Sequence, residues 1–366
     1  MTAALGLYVH IPFCKAKCHY CDFASGPGTR EQADAYLDLL EREAIRESGA
    51  RRFDTVFIGG GTPSVLDGAQ LTRLFRDVLG RFTLAPGAEV TLEANPESMD
   101  ESKAKLLAEL GVNRVSLGAQ SFVPEELARL GRLHTADRVA AAVDAVRGAG
   151  IANVNLDLIC GFPGNSTETL DRSLDRLVAL APEHVSVYIY QLEQESHWGR
   201  IGIAPPDPDA QVELYYHAKD RLEASGYGHY EISNWCRPGR ECRHNLKYWT
   251  GDPYLGIGLS AASFMDGRRL SNPDDFEAYA EAVESGPELE SELSGDDLAR
   301  ELLMLRLRLL RGVDGLPGGL GGRATGEVLR ALERYSRLGL LDRRGEGWAL
   351  SRQGLALSNE VFADLI

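Results

Sequence analysis

The feature that most constrains the fold of this chain is a regular alternation of short apolar runs with longer amphipathic segments along its N-terminal half. The runs have the length and side chains of β-strands, and several are apolar enough to be buried on both faces, as parallel strands are. The segments between them keep helical spacing, for example at Leu170, Leu174 and Leu177. This alternation predicts a parallel sheet with right-handed crossovers, either open or closed as a barrel. The six predicted strands are 7–10, 55–58, 89–93, 114–117, 153–159 and 185–190.

The remainder of the chain departs from this α/β pattern. A proline-rich stretch at 204–208 ends the alternation, and a helix is predicted at 210–224. The acidic segment 284–297 has the composition of a linker, and the pattern after it predicts helix, helix, hairpin and helix, which is winged-helix-like. We therefore divide the chain into an α/β region (1–205), a connecting region (206–285) and a C-terminal α+β domain (286–366).

The composition excludes several classes of protein. A chain of 366 residues with 44% hydrophobic and 25% charged residues is typical of a globular protein with more than one core. No apolar run approaches the ~18 residues that span a membrane, and we see no basic, apolar-cored leader, so a cytoplasmic protein is expected. The net charge of −15 argues against nucleic-acid binding. Residues 297–366 carry 11 Arg against 9 Asp and Glu, and this net +2 is too small for a multi-phosphate contact.

Three thiols lie within eight residues, directly after the first predicted strand, at Cys14, Cys18 and Cys21. Four thiolates would complete an iron–sulfur or zinc site, whereas three thiolates on a [4Fe–4S] cluster leave one iron open to an outside ligand. Phe23 stands where a further cysteine of such a motif would be. An open iron is what a cluster that takes part in chemistry requires.

Two alternatives for these cysteines lead to different chemistry. A disulfide framework is disfavoured because the group holds an odd number of cysteines and because we see no secretory signal in the sequence. A zinc site completed by His10 or His19 stays open. Neighbouring Lys15 and Lys17 would lower the thiol pKa values and so favour thiolate ligands. The motif therefore predicts a metal centre, with an iron–sulfur cluster favoured over zinc.

Glycine and polar residues recur at the ends of the later predicted strands. A Gly-Gly-Gly-Thr-Pro turn at 59–63 follows the second strand, where glycines let the backbone approach a ligand closely. Ligands of parallel α/β folds bind at these strand ends. Each residue taken singly is explained as well by a tight turn, a cap or a salt bridge, but their recurrence in one layer favours a site. The polar residues are Glu93, Gln120, Arg132 and Asp157.

A third motif lies in the connecting region, where Tyr248 and Trp249 follow His244. A histidine beside aromatic rings is typical of an axial ligand against a flat macrocycle. It is equally typical of a satisfied core histidine, and we favour that interpretation from these residues alone. Cys236 and Cys242 either join His244 in a metal site or remain free cytosolic thiols.

These motifs together resemble the radical S-adenosylmethionine superfamily. The three cysteines and the glycine turn carry that resemblance, and the runs 8–13 and 157–164 narrow it to the branch around oxygen-independent coproporphyrinogen III oxidase. Cys-Asp-Phe at 21–23 and His-Asn-x2-Tyr-Trp at 244–249 are similar to the HemW haem chaperones of that branch. The resemblance covers essentially the whole chain.

The resemblance implies a fold and a set of cofactors. The expected fold is α/β, a partial (β/α)6 barrel of the radical SAM type followed by the winged-helix-like domain. The expected cofactors are a [4Fe–4S] cluster on Cys14, Cys18 and Cys21, S-adenosylmethionine, and haem with His244 as its candidate ligand. No catalytic residue is assigned. The residues implied to contact S-adenosylmethionine are Tyr8, Gly60, Gly61, Thr62, Glu93, Gln120, Arg132 and Asp157.

Two departures from the true oxidase shape the expected function. Phe23 replaces a further cysteine of the oxidase motif, and the N-terminal extension of that enzyme is expected to be absent. We therefore expect no coproporphyrinogen III dehydrogenase activity, and instead a haem chaperone that transfers haem to respiratory haem proteins. The complete cysteine motif keeps two alternatives open. One is a radical enzyme acting on a porphyrinogen, and the other is a radical methyltransferase or cyclopropanase of a secondary metabolite.

The expected partners follow from this function. They are haem, the haem-accepting respiratory proteins and a haem donor. The acidic body has no direct attraction for anionic lipid, so any contact with the inner membrane would come through partners. The C-terminal domain is expected to serve in packing or partner docking, without nucleic-acid binding, and both a monomer and a homodimer remain open.

Overall fold

The computed structural model of the chain describes residues 5–366. Its strands and helices fall in three groups along the chain: an alternating β/α part, a part rich in short strands, and a mostly helical end. The strands are β1 Leu5–Ile11, β2 Phe13–Cys14, β3 Gly26–Pro27, β4 Arg52–Gly60, β5 Thr83–Ala94, β6 Arg114–Gln120, β7 Asn153–Cys160, β8 His184–Ile189, β9 Gly228–Glu231, β10 Asn234–Cys236, β11 Tyr254–Ile257, β12 Ala262–Met265, β13 Arg268–Ser271, β14 Glu288–Glu292, β15 Leu341–Arg344 and β16 Gly347–Leu350. The helices are α1 Arg30–Glu47, α2 Gly68–Arg73, α3 Glu101–Glu109, α4 Pro124–Leu130, α5 Ala136–Gly148, α6 Thr167–Leu180, α7 His197–Arg200, α8 Pro208–Ala224, α9 Arg243–Thr250, α10 Phe276–Ser285, α11 Gly295–Leu307, α12 Gly322–Arg337, α13 Arg352–Ala356 and α14 Ser358–Ala363.

The six predicted strands are confirmed as β1, β4, β5, β6, β7 and β8, which pair in parallel in this order. A helix connects each strand to the next, as right-handed crossovers require. The largest difference is at β5, which begins at Thr83 because its first residues pair with the start of β4 at Arg52 and Phe53. Helix α6 and its neighbours begin at capping residues such as Ser166, whose side chain accepts from the Thr169 amide.

The connecting region extends the same sheet at both edges. Strands β10 and β9 continue antiparallel beyond β8, and β11 pairs in parallel with β1 before β12, β13 and β14 follow. The hydrogen-bonded order therefore begins at β14 and ends at β9. The prediction of a linker at 284–297 was wrong for Glu288–Glu292, which is β14. Its acidic side chains meet the basic β13, where Arg268 pairs with Glu292.

The parallel sheet has two chemically different faces. The outer face, on which α1 to α6 pack, consists of fully buried apolar side chains such as Leu7, Leu92 and Leu117. The inner face carries the alternating positions and is polar or aromatic. The sequence predicted that several of these strands are apolar on both faces. The inner face is instead polar or aromatic, because it lines cavities. Residues that pair in register on neighbouring strands form rows across this face. One row is Tyr8, Phe57, Thr91 and Arg114, and the next row includes Glu93, Ser116, Asn155 and His184.

The C-terminal domain has the predicted order of two helices, a hairpin and a helical end, with the end divided into α13 and α14. Arg343 stacks over the Trp348 ring within the hairpin. Arg352 makes two hydrogen bonds to Asp220 on α8, which ties this domain to the connecting region. Over residues 5–366, no helix combines the length and apolar character needed to cross a membrane.

Candidate functional site

The three cysteines of the motif surround a single cavity of about 460 Å³, here called the cysteine cavity. All three thiols are partly exposed. The loop is held by the Cys21 amide, which donates to the Cys18 carbonyl, and by Lys17, whose ammonium donates to the Ser25 carbonyl at 2.9 Å. Burial raises the pKa of the Cys21 thiol despite the nearby Lys17 charge. The predicted lowering by lysine is therefore outweighed at this position.

The two histidines of the zinc alternative are engaged with other groups. The His10 ring nitrogens lie 3.0 Å from the Tyr8 hydroxyl and 3.0 Å from the Ala24 carbonyl. His19 Nδ1 lies 2.8 Å from the Arg129 carbonyl. Within residues 5–366, no three His, Cys, Asp or Glu side chains converge closely enough to hold a single metal ion. The thiols instead surround a space larger than one ion.

The glycine turn after β4 supports the cysteine loop. The Gly61 amide donates to the Ile11 carbonyl at 2.8 Å, and the Thr62 amide donates to the Phe13 carbonyl at 2.7 Å. A Cβ at Gly61 would lie 2.7 Å from the Phe13 carbonyl oxygen, so only glycine fits. The Thr62 hydroxyl lies 3.4 Å from Cys14 Sγ. Gly60, Gly61 and Thr62 all line the cysteine cavity.

Arg132 and Gln120 bring unsatisfied polar atoms to the same cavity. Arg132 donates to Cys18 Sγ at 3.3 Å and to Asn95 Oδ1 and the Gly118 carbonyl at 2.6 Å each. Its buried Nε has no partner among the described residues, 5–366. The Gln120 backbone is left-handed, with φ of 63°, and its Oε1 is also without a partner in the part of the chain that the structure describes. Strain and unsatisfied polar atoms of this kind are typical of a ligand site.

Glu93 and Asp157 place two carboxyl groups at the inner edge of the cysteine cavity. Burial and the nearby Asp157 charge raise the pKa of Glu93 to about 8, although the Gly60 amide donates to it at 3.2 Å. Burial raises the pKa of Asp157, which accepts from Ser116 at 3.1 Å and from Asn155 at 2.7 Å. Two carboxyl groups that resist ionisation together would favour a cationic ligand.

A second cavity of about 550 Å³, here called the inner cavity, adjoins the first along the inner face. The residues that line both are Phe23, Gly60, Glu93, Ser116, Asp157 and Tyr188. Tyr8, implied as an S-adenosylmethionine contact, lines the inner cavity. Phe57 and Tyr248 complete its aromatic wall. The exposed Phe23 and Tyr188 stand at its opening, and Arg114, Asn155 and Ser186 lie deeper.

His244 lies behind this aromatic wall. It is fully buried, and its ring stacks on Phe57 with centroids 5.4 Å apart. Its Nδ1 lies 2.9 Å from the Thr55 hydroxyl and its Nε2 lies 2.9 Å from the Tyr248 hydroxyl. Burial lowers the pKa of His244 to about 3, so the ring is neutral. His244 can therefore bind an iron only if one of these hydrogen bonds breaks.

The nearby cysteines take structural positions. Cys242 occupies the N-cap position of α9 without a capping side-chain hydrogen bond, and its Sγ lies 3.8 Å from Glu89 Oε1, whereas Cys236 is buried in β10. Burial raises the pKa of both thiols to about 12, so both are protonated. The structure does not gather them with His244 into a group that could hold a metal ion, among the residues described.

Sequence reasoning missed several residues that line the cavities. Asn95 orients Arg132, Phe57 forms part of the aromatic wall, and Arg114 and Ser186 lie deep in the inner cavity. The signal that could have found Arg114 is its spacing of two from Ser116, which puts both on one face of β6. Phe57 carries no such signal, because an aromatic residue in a strand is ordinary.

Comparison with known proteins agrees with this arrangement. Residues 8–177 match the Radical SAM superfamily, and residues 293–357 match the HemN C-terminal domain. The chain is 38% identical to a protein of Mycobacterium tuberculosis (strain H37Rv) named heme chaperone HemW, over 99% of this chain and 94% of the relative. Proteins of the same name from Bacillus subtilis and Escherichia coli are 34% identical over 97% and 98% of this chain, and 97% of each relative. The chain belongs to the HemW family of radical SAM proteins.

A solved structure shows the same fold. The Escherichia coli protein described as a coproporphyrinogen III oxidase (HemN) and a radical SAM enzyme superposes with a TM-score of 0.86. It is 25% identical, and the match covers 100% of this chain and 90% of that chain. The fold is therefore the HemN-like radical SAM fold, α/β with a mostly parallel sheet and a HemN C-terminal domain, and the resemblance drawn from the motifs is confirmed.

Proposed function

We propose that this protein is a haem chaperone that carries a [4Fe–4S] cluster and S-adenosylmethionine and transfers haem to respiratory haem proteins. The observation that carries the proposal is the direct junction of the cysteine cavity with an aromatic-walled inner cavity. The names of the HemW relatives support haem as the cargo. The inner cavity, at about 550 Å³, lies within the size range of small-molecule and cofactor sites.

The residues of the cysteine cavity fit the two cofactors. Cys14, Cys18 and Cys21 would hold three irons of a cluster, and Arg132 would hydrogen-bond the Cys18 sulfur. Glu93 and Asp157 supply acceptors for the cationic groups of S-adenosylmethionine. When bound, the two cofactors would supply one-electron chemistry. A polar ligand would supply the partners that Gln120 Oε1 and Arg132 Nε lack within residues 5–366.

The remaining implied contacts divide between the two cavities. Gly61, Thr62, Gln120 and Arg132 line the cysteine cavity alone, and Tyr8 lines the inner cavity alone. We propose that the first group contacts S-adenosylmethionine directly. Tyr8, whose ring stacks with Phe57 at 6.4 Å between centroids, would contact it from the junction, or contact the ligand of the inner cavity.

We propose His244 as a haem ligand only after the Tyr248 hydroxyl moves away from its Nε2. The test is haem titration of three variants, followed by visible absorption. His244→Ala should weaken binding, and Tyr248→Phe should strengthen it, because the competing hydrogen bond is removed in advance. Thr55→Val is the matched control, since it removes a bond to the same ring and leaves Nε2 unchanged. Equal affinity of His244→Ala and wild type would remove His244 from the haem site.

A second candidate function is a radical enzyme acting on a porphyrinogen. It is favoured by the shared residues Glu93, Ser116 and Asp157, because a ligand in the inner cavity would lie directly beside the cofactors. The experiment is anaerobic reconstitution of the cluster, followed by measurement of 5′-deoxyadenosine with and without coproporphyrinogen III. Haem binding without stimulated cleavage would support the chaperone, whereas stimulated cleavage with decarboxylated product would support the enzyme.

We also propose a cytoplasmic location, with the inner membrane reached through protein partners. All six cysteines are free thiols, which suits a reducing compartment. Fractionation of cells should place the protein with the cytoplasm, and co-purification should link it to respiratory haem proteins. Recovery from an oxidising compartment would contradict the proposal.

A further inference from the structure

Arg114 is a buried cation that the proposed function does not use. It is the first residue of β6, is 2% exposed, and lines the inner cavity. Its position in the sheet places it in the same row as Tyr8 and Phe57, separated from Phe57 by Thr91. The guanidinium is therefore presented beside the aromatic wall, inside the cavity.

The guanidinium lacks a direct partner in the part of the chain that the structure describes, 5–366. Arg114 makes no hydrogen bond or ion pair there, and its buried Nε is unsatisfied. Its nearest acidic neighbours act on it only through charge. Glu89 is occupied by the amides of Arg243 and His244, and Asp157 by Ser116 and Asn155. A buried charge is normally paired, so an unpaired one that faces a cavity indicates a missing ligand.

The chemistry of that ligand follows from the guanidinium. Arginine binds carboxylates through two parallel hydrogen bonds, which gives both affinity and orientation. Ser186 and Asn155 line the same cavity and supply further polar contacts. The aromatic rings of Tyr8, Phe57 and Tyr248 accept a flat apolar body. The site thus combines a surface for a planar ring system with a single buried anchor for an anion.

We infer that Arg114 is the carboxylate anchor of the inner cavity, and that it binds a propionate of haem. This inference rests on the proposed haem binding. The same chemistry could be met by the carboxylate of an S-adenosylmethionine molecule, and the experiment separates the two sources.

The first arm compares haem with its dimethyl ester, in which both propionates are blocked. Wild-type protein should bind haem about tenfold or more tightly than the ester, the effect of one hydrogen bond to a charged group. Arg114→Gln should bind both equally, and Arg114→Lys should recover part of the preference. Arg330→Gln, at an exposed position on α12, is the matched control and should keep the wild-type preference for haem over the ester.

The second arm compares S-adenosylmethionine with decarboxylated S-adenosylmethionine by equilibrium dialysis in the absence of haem. A preference for the carboxylate form that Arg114→Gln removes would assign the anchor to S-adenosylmethionine. The inference would be overturned if wild type bound haem and its ester equally and also bound the two forms of S-adenosylmethionine equally. It would also be overturned if the preferences for the carboxylate forms persisted in Arg114→Gln. The wild-type comparisons need no variant to fold. Wild type that binds no haem would refute the proposed function, while the second arm would still test Arg114.

Discussion

The outer and inner faces of the parallel sheet differ in what their side chains require. Outer residues such as Leu7, Leu92 and Leu117 are fully buried in contact with helices, and their interactions are complete within the chain. Inner residues such as Arg114 and Glu93 are charged or titratable groups that line the cavities, and the buried Arg114 Nε has no partner within residues 5–366. The outer face therefore stabilises the fold, whereas the inner face carries the polar groups that line the two cavities. Violations of packing rules concentrate where function is expected.

The largest expected effect separates a ligand cysteine from a core cysteine. Cys14→Ala should reduce the iron and sulfide content of reconstituted protein to background, because three thiolates are required. Its effect on the unfolding free energy of unloaded protein should stay within about 0.5 kcal/mol, since Cys14 is partly exposed. Cys160→Ala, fully buried in β7, is the control. It should keep its iron and lose about 1 kcal/mol of stability. Iron loss in both variants would contradict the assignment.

Adjacent residues of β6 test the two faces directly. Leu117→Ala removes a fully buried outer side chain and should lower the unfolding free energy by about 2–5 kcal/mol. Ser116→Ala removes an inner hydroxyl that donates to Asp157 and accepts from Asn155, and should cost about 1–2 kcal/mol. Urea unfolding of unloaded protein measures both. If Ser116→Ala were as damaging as Leu117→Ala, the distinction between the faces would not hold.

The pH dependence of stability should report the inner face. The pKa of Glu93 is raised to about 8 in the folded state, against 4.5 as its ordinary value. The folded state therefore holds this proton more tightly, so the contribution is fully present below pH 4.5 and is lost as the pH rises to about 8. Glu93→Gln should remove this contribution to the dependence of the unfolding free energy on pH. Identical pH profiles of the unfolding free energy for variant and wild type would show that Glu93 titrates normally.

The smallest expected effect on stability is at the opening of the inner cavity. Phe23 is 63% exposed, so Phe23→Ala should change the unfolding free energy by no more than about 0.5 kcal/mol. Its ring lines both cavities, so the affinity for haem should fall in the same variant. Thermal unfolding and haem titration measure the two effects. A large loss of stability would instead make Phe23 part of the core.

The sequence predicted the elements whose signals are local. Five of the six central strands follow from spacing and residue type within a few positions, whereas β5 begins at Thr83, well before its predicted start at 89. The edge strand β14 was missed because Glu288–Glu292 has no strand propensity, and its pairing with β13 depends on Arg268 and its neighbours. At the edge of a sheet, pairing with the neighbouring strand can outweigh a low intrinsic β-strand propensity.

The candidate site was predictable only in part for the same reason. Glu93, Gln120 and Asp157 were predicted because strand ends converge in parallel folds, whereas the same prediction was wrong for Arg132, which follows helix α4. All four residues line the cysteine cavity. The orientation of His244 was not predictable, because it depends on Thr55, far away in sequence, and on Tyr248. Arg114 appeared only as the start of a strand, since its lack of partners among residues 5–366 is a property of the folded chain.

The sharing of Glu93 and Asp157 by both cavities has a thermodynamic consequence. A cation bound in the cysteine cavity would favour the ionised form of Glu93, and that charge would then face whatever occupies the inner cavity. The two binding equilibria are thereby coupled through one common pair of carboxyl groups. By linkage, the factor by which a first ligand alters the affinity for a second must equal the factor in the reverse direction. Loading and release of cargo would then each depend on whether the cofactor is in place.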